Sequence, residues 1–223
     1  MPVSYSTFRT TQIGPLSNLD QIVKKHACTY YRRPIPQHQI FALEQVKNFI
    51  IQKDLPIIID SGCGTGLSSE LLAQQYPNHW VIGFDKSQDR LSRMRKTSPP
   101  NCLVVRADLI DMWRLLLQQN WPITHHFIFF PNPWPKASQV KRRFHAHPVF
   151  SCMIKLAAYL ELRTNWKIYA DEFFEALKIL GHDASLENKS DSSYMTLFEK
   201  KYQESSSQIY IIKSLRPAQN INY

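Results

Sequence analysis

The sequence predicts an α/β fold built on an open parallel sheet. Two observations carry that expectation. Short apolar runs, each ending in an acid or a turn, alternate with stretches of helical periodicity from residue 37 to residue 180. The first of these runs opens directly onto a glycine-rich loop that leads into a helix. Hydrophobic content of 43% and charged content of 20% are ordinary for a globular chain, and 223 residues suffice for one domain with an elaboration.

Taken in order, residues 1–36 read as an N-terminal arm with a disordered start, and residues 37–223 as one domain. Within the arm, Lys24, Lys25, Arg32 and Arg33 surround Tyr30 and Tyr31. That mixture suits a grip on RNA, and equally a solvated loop. Gln37 to Ile51 carries apolar residues at three-and-four spacing and reads as an amphipathic helix. Leu55 to Ile59 is an isoleucine-rich buried strand, followed by a helix over Leu67 to Gln75. Trp80 to Phe84 and Leu103 to Val105 are the next strands, with a basic helix over Arg90 to Lys96 between them. A helix over Ile110 to Gln118 precedes a fourth strand, Phe127 to Phe130. Helix Phe150 to Ala158, strand Tyr159 to Arg163 and helix Tyr169 to Leu180, stopped by Gly181, follow. Tyr194 to Tyr202 and Ser207 to Lys213, split by a polar turn, read as a C-terminal hairpin.

The net charge of +9 favours a polyanionic partner, nucleic acid before a membrane surface. No apolar run is long enough to span a bilayer, and the first 22 residues lack a signal layout. Cys28, Cys63, Cys102 and Cys152 are scattered without zinc spacing, so no metal site is expected. They read as reduced, buried thiols of a cytoplasmic protein.

Two loops carry chemistry. Asp60-Ser61-Gly62-Cys63-Gly64-Thr65-Gly66 follows the first strand. Glycines at alternate positions let backbone approach a ligand closely. The spacing departs from the dinucleotide fingerprint and puts a carboxylate at the loop's start. An acid there suits a ligand carrying an amine or sulfonium, as S-adenosylmethionine does; an NAD-type site and a tight turn are the other readings. Asp85, at the second strand end, can accept from ribose hydroxyls, and Asp108, near the third, from an adenine amine. The second loop is Pro131-Asn132-Pro133-Trp134-Pro135-Lys136. Its prolines forbid further strand pairing and stiffen a turn that presents Asn132 beside Trp134. Lys141, Arg142 and Arg143 follow. The stretch reads either as an active-site rim facing a polyanion or as a proline-rich surface loop.

With Thr164-Asn165-Trp166, Tyr169 and Thr196-Leu197-Phe198-Glu199, these stretches resemble the bacterial tRNA (guanine-N7)-methyltransferases, over residues 35–215 and in the same order. The resemblance implies a Rossmann-like, class I S-adenosylmethionine-dependent methyltransferase fold, with a mostly parallel seven-stranded sheet. It implies tRNA as substrate and a monomer or homodimer. Asp60, Gly62, Gly64, Gly66, Asp85 and Asp108 then correspond to cofactor contacts. Trp134, Lys136, Lys141, Arg142, Arg143, Thr164, Asn165, Tyr169, Thr196, Phe198 and Glu199 correspond to substrate contacts, and Asn132 to the catalytic position. The family carries aspartate at positions 132 and 165, where this chain has asparagine. Three functions stay open: guanine-N7 methylation, a relative that binds cofactor and RNA without that chemistry, and methylation of another base or a small molecule.

Overall fold

The computed structural model describes residues 10, 12–95 and 97–215. Residues 1–9, Thr11, Lys96 and residues 216–223, covered by the arm, the basic helix and the domain as read above, lie outside the described residues. In chain order the helices are α1 (Leu19–Ala27), α2 (Gln37–Ile50), α3 (Leu67–Gln75), α4 (Gln88–Leu91), α5 (Leu109–Leu117), α6 (Phe150–Lys155), α7 (Lys167–Ile179) and α8 (Leu197–Glu204). The strands are β1 (Ile57–Ser61), β2 (Trp80–Asp85), β3 (Cys102–Arg106), β4 (Ile123–Phe129), β5 (Tyr159–Thr164), β6 (Asp183–Asn188) and β7 (Tyr210–Leu215).

The strands form one sheet in the order β3-β2-β1-β4-β5-β7-β6. β1 to β5 pair in parallel, while β7 runs antiparallel to β5 and to β6. The order reverses between β1 and β4, and ligands of open α/β sheets bind in the crevice at such a point, beyond the carboxyl ends of the strands. Alternation along each strand sorts the core. Ile57, Ile59, Ile82, Phe84 and Ile128 face the layer that holds α1, α2, α5, α6 and α7, whereas Ile58, Val81, Phe127 and Phe129 face α3. α5 turns Met112, Trp113 and Leu116 into the larger layer; each such burial is worth about 1.5–3 kcal/mol.

Four elements depart from expectation. Leu19–Ala27, inside the stretch read as an arm, is a helix because Leu19 and Val23 lie on one face and enter the core. The basic helix shrinks to the four residues of α4. Tyr194 to Tyr202 is not a strand: α8 lies there, and the antiparallel C-terminal pair is β6 with β7. β6 escaped notice because its burial alternates weakly, with Ala184 and Leu186 the apolar residues it tucks in. All four cysteines are free, but Cys28 is exposed rather than buried.

Candidate active site

The glycine loop leaves β1 at the switch point. Gly62, Gly64 and Gly66 all sit at positive φ, 81°, 61° and 80°, where a side chain is strained. A Cβ on Gly62 would meet nothing within 4 Å, so that backbone faces open space. Asp60 lies beneath the loop with 1% of its surface exposed. Its Oδ2 accepts from Ser68 and Ser69 at 2.6 and 2.7 Å, while its Oδ1 is buried with no partner. Burial raises its carboxyl from 3.8 to about 6, against the two serine bonds. α3 reaches Asp60 because Gly83 lets it press onto β2; a Cβ there would lie 2.3 Å from Ser69 Oγ. Behind the loop, Ser61 Oγ accepts from the Trp113 indole and pairs with His126 Nε2. Burial pushes His126 down to about 3, so the ring is uncharged and packs as part of the core.

Asp85 is also buried, and it braces the loop. Gly64 N–H donates to Oδ2 at 2.9 Å; Ser87 N–H and the Arg90 guanidinium donate to Oδ1. Oδ2 keeps room for a further donor. Asp108 is engaged differently from expectation. It caps α5 through Ile110 N–H and binds Lys86 through Oδ2. Burial opposes ionisation there, but the Lys86 bond and charge hold its carboxyl below the usual range.

Across the switch point, β4 ends and the chain turns at Phe130, whose φ is 50° and whose N–H donates to the Arg163 carbonyl. Asn132 is exposed; its Oδ1 accepts weakly, at 3.4 Å, from Trp134 N–H. Arg142, exposed, lies over the Trp134 ring at 4.8 Å, a cation–π contact. Lys136 and Lys141 are exposed beside it.

Arg143 does not extend this cationic surface. It is fully buried and donates to Glu172, to Gln12 and to the Trp134 carbonyl, so it rivets the turn to α7. Glu172 also accepts from His145, Gln12 and Leu16. Burial alone would raise the Glu172 carboxyl, but His145 and Arg143 hold it below its ordinary range. Thr10 closes the same cluster with a 2.7 Å bond to the Pro135 carbonyl.

Three more expected substrate contacts, Tyr169, Thr164 and Glu199, point inward, and Thr196 is spent on a helix cap. Tyr169 is buried against His145 and Phe173. Thr164 is buried and accepts from Trp166 N–H. Thr196 and Glu199 form the start of α8: Thr196 Oγ1 accepts from Glu199 N–H, and Glu199, fully buried, accepts from Met195 N–H and Arg163. Phe198, between them, is 53% exposed, and Asn165 is half-buried at the end of β5.

The structure thus gathers Asp60, the three glycines and Asp85 on one side of the crevice. Asn132, Trp134, Lys136, Lys141, Arg142 and Asn165 stand on the other. Sequence reasoning missed Gly83, Ser68, Ser69, Arg90 and Glu172. The paired serines right after the third glycine were the available signal for Asp60's partners; nothing local marks Glu172. A cleft of about 280 Å³ between α3 and Met195, lined by Phe127, Tyr159, Glu161 and Arg163 among others, shares no residue with this set.

A switch-point glycine loop over a buried acid, in a sheet of this order, defines a Rossmann-like methyltransferase fold. Solved structures agree. The 16S rRNA (adenine(1408)-N(1))-methyltransferase of Catenulisporales acidiphilia, with cosubstrate SAM, superposes with a TM-score of 0.55 at 16% identity, covering 81% of this chain and 94% of that one. An antibiotic-related methyltransferase superposes with a TM-score of 0.52 at 18% identity, covering 85% and 96%. Residues 54–212 match the profile of the methyltransferase family Methyltransf_4, and the chain belongs to that family. It is similar to the tRNA (guanine-N(7)-)-methyltransferase of Burkholderia ambifaria, 28% identical over 68% of this chain and 64% of that one. The enzymes of that name from Buchnera aphidicola (25%, over 79% and 78%) and Bordetella pertussis (26%, over 78% and 65%) are also similar. The matched region spans less than two thirds of the Burkholderia and Bordetella enzymes, 64% and 65%, and 78% of the Buchnera one.

Proposed function

We propose that this chain transfers a methyl group from S-adenosylmethionine to N7 of a guanine in tRNA. The observation that carries the proposal is the pairing, across one switch point, of the Asp60 loop with the Asn132 turn. The loop fits the cofactor on its own chemistry. Gly62 leaves space for close approach, the free Asp60 Oδ1 is an acceptor for an ammonium group, and Asp85 Oδ2 can take a ribose hydroxyl. When bound, S-adenosylmethionine supplies a methyl group already activated on a sulfonium.

The protein's task is then orientation. Guanine N7 has an in-plane lone pair, so no base is required to bare it. Asn132, exposed at the rim, accepts from the ring N–H groups and fixes the base in plane. Trp134, under Arg142, offers a flat face beside it. Lys136, Lys141 and Arg142 hold phosphates. As positive charge develops on the guanine, the Asn132 carbonyl offsets it as a neutral acceptor. Charge-assisted bonds are roughly twice as strong, so this enzyme is slower than its Asn132→Asp variant by about ten- to a hundredfold.

Incubation with an unmodified tRNA transcript and labelled cofactor, followed by nucleoside mapping, is the test. N7-methylguanosine is expected, with a faster rate in Asn132→Asp. Another methylated nucleoside, or cofactor and tRNA binding without product, overturns the guanine-N7 assignment.

A further inference from the structure

We propose that Phe130, Tyr202 and Phe198 form a stacking platform for an unpaired nucleobase of the substrate RNA; this rests on reading the partner as RNA. The turn after β4 starts it. Phe130, at φ 50°, lays its ring against Tyr202 of α8, centroids 5.5 Å apart and planes 35° from parallel. Phe198, four residues before Tyr202 and so on the same helix face, stacks on it at 6.4 Å and 22°. The three rings descend from solvent to the rim of the crevice. Phe198 is 53% exposed at the outer end, and Tyr202 meets the Phe130 ring of the β4 turn at the inner end.

Folding does not account for the outer part of this row. α8 is held by its cap and by the buried Arg163–Glu199 pair, neither of which involves the Phe198 ring. Yet Tyr194, Leu197 and Phe198 all stand exposed within five residues. The patch is interleaved with cations: Lys200 lies 5.6 Å over the Tyr194 ring, and the Lys136–Arg142 flank follows the turn that carries Phe130. Rings alternating with cations suit bases and phosphates, the rings stacking and the cations neutralising. An apolar protein surface would not call for the cations. The chain's +9 charge agrees with a polyanion.

Binding, not catalysis, is the direct readout. A labelled unmodified tRNA transcript and a fully paired RNA duplex of equal length are titrated by fluorescence anisotropy with wild type, Phe198→Ala, Phe198→Trp, Tyr202→Ala and Tyr202→Phe. Phe198→Ala and Tyr202→Ala are expected to weaken tRNA binding by roughly 5- to 100-fold, the loss of one stacked base. Phe198→Trp and Tyr202→Phe keep it within about threefold, and duplex binding does not change. Thermal melting of Phe198→Ala is expected to match wild type, separating the effect from misfolding. Equal tRNA affinity for Phe198→Ala and wild type overturns the platform, as does an equal loss for the duplex. A change confined to self-association in sedimentation also overturns it. If tRNA binds and the alanine variants lose it while no methylated product forms, the platform stands and the N7 assignment fails. If N7-methylguanosine forms and Phe198→Ala binds tRNA as wild type does, the reverse holds.

Discussion

On the β1–β3 side of the crevice the polar groups are buried and held by neighbours close in sequence. Asp60 meets Ser68 and Ser69, and Asp85 meets Gly64, Ser87 and Arg90. On the β4–β5 side, the groups facing solvent are two amides, aromatic rings and cations, and what fixes them comes from far along the chain. Arg143 ties the Trp134 carbonyl to Glu172 and Gln12, 29 and 131 residues away. One half is a local motif with a cost stored in a buried acid. The other is a surface whose shape depends on a remote ionic rivet.

Breaking the rivet gives the largest expected effect. Arg143→Ala leaves the buried Glu172 without its guanidinium partner; Gln12, Leu16 N–H and His145 remain, and the proton affinity of His145 is itself lowered by burial. A loss of about 3–5 kcal/mol in urea unfolding is expected. Arg142→Ala, one residue away but exposed, should change stability by less than about 0.5 kcal/mol while weakening tRNA binding. Equal stability losses for the two arginines would erase the distinction between rivet and contact.

The local half is sharpened by Asp60→Asn. The Asp60 carboxyl is raised to about 6 in the fold, so the folded state favours its protonated form. Its contribution to stability is full below about pH 4 and is lost as pH rises through 6, a change of about 3 kcal/mol. Asn132 and Asn165 carry no such slope. Thermal melts from pH 4 to 8 should show Asp60→Asn above wild type at pH 7.5, converging with it near pH 4, with cofactor affinity reduced. A wild-type melt unaffected between pH 5 and 7 would count against a buried, ionising Asp60.

The smallest effect lies at the edge of the turn half. Thr196→Ala removes the α8 cap and should cost about 1 kcal/mol. Hydrogen exchange should locate that loss at the amides of residues 197–204; faster exchange spread across the sheet would instead make Thr196 part of the core.

The same division explains what could be read beforehand. β1 to β5 were legible because buried parallel strands are continuous apolar runs, and the strand-end positions of Asp60 and Asp85 were legible because each acid directly follows such a run. α8 was misread although Tyr194, Phe198 and Tyr202 recur at helical spacing and Thr196 with Glu199 makes a capping box. The polar segment after Tyr202 argued for a hairpin turn, and helix period won. β6, an edge strand with mostly exposed residues, has no apolar run to find. The inward fate of Arg143 was out of reach, since Lys141-Arg142-Arg143 is uniform in sequence. Partners brought together by the fold, Glu172 of α7 with Gln12 and the Trp134 carbonyl, separate its last member from the other two.

Gly83 bears on how a ligand meets the loop. Because α3 rests directly on β2 at that glycine, Ser68 and Ser69 reach Asp60 through contact between helix and sheet alone. The cradle is preorganised: desolvation of the acid is completed during folding rather than at encounter. An incoming cation therefore finds a carboxylate already stripped of water on one side, and little of its binding energy is diverted to ordering the loop.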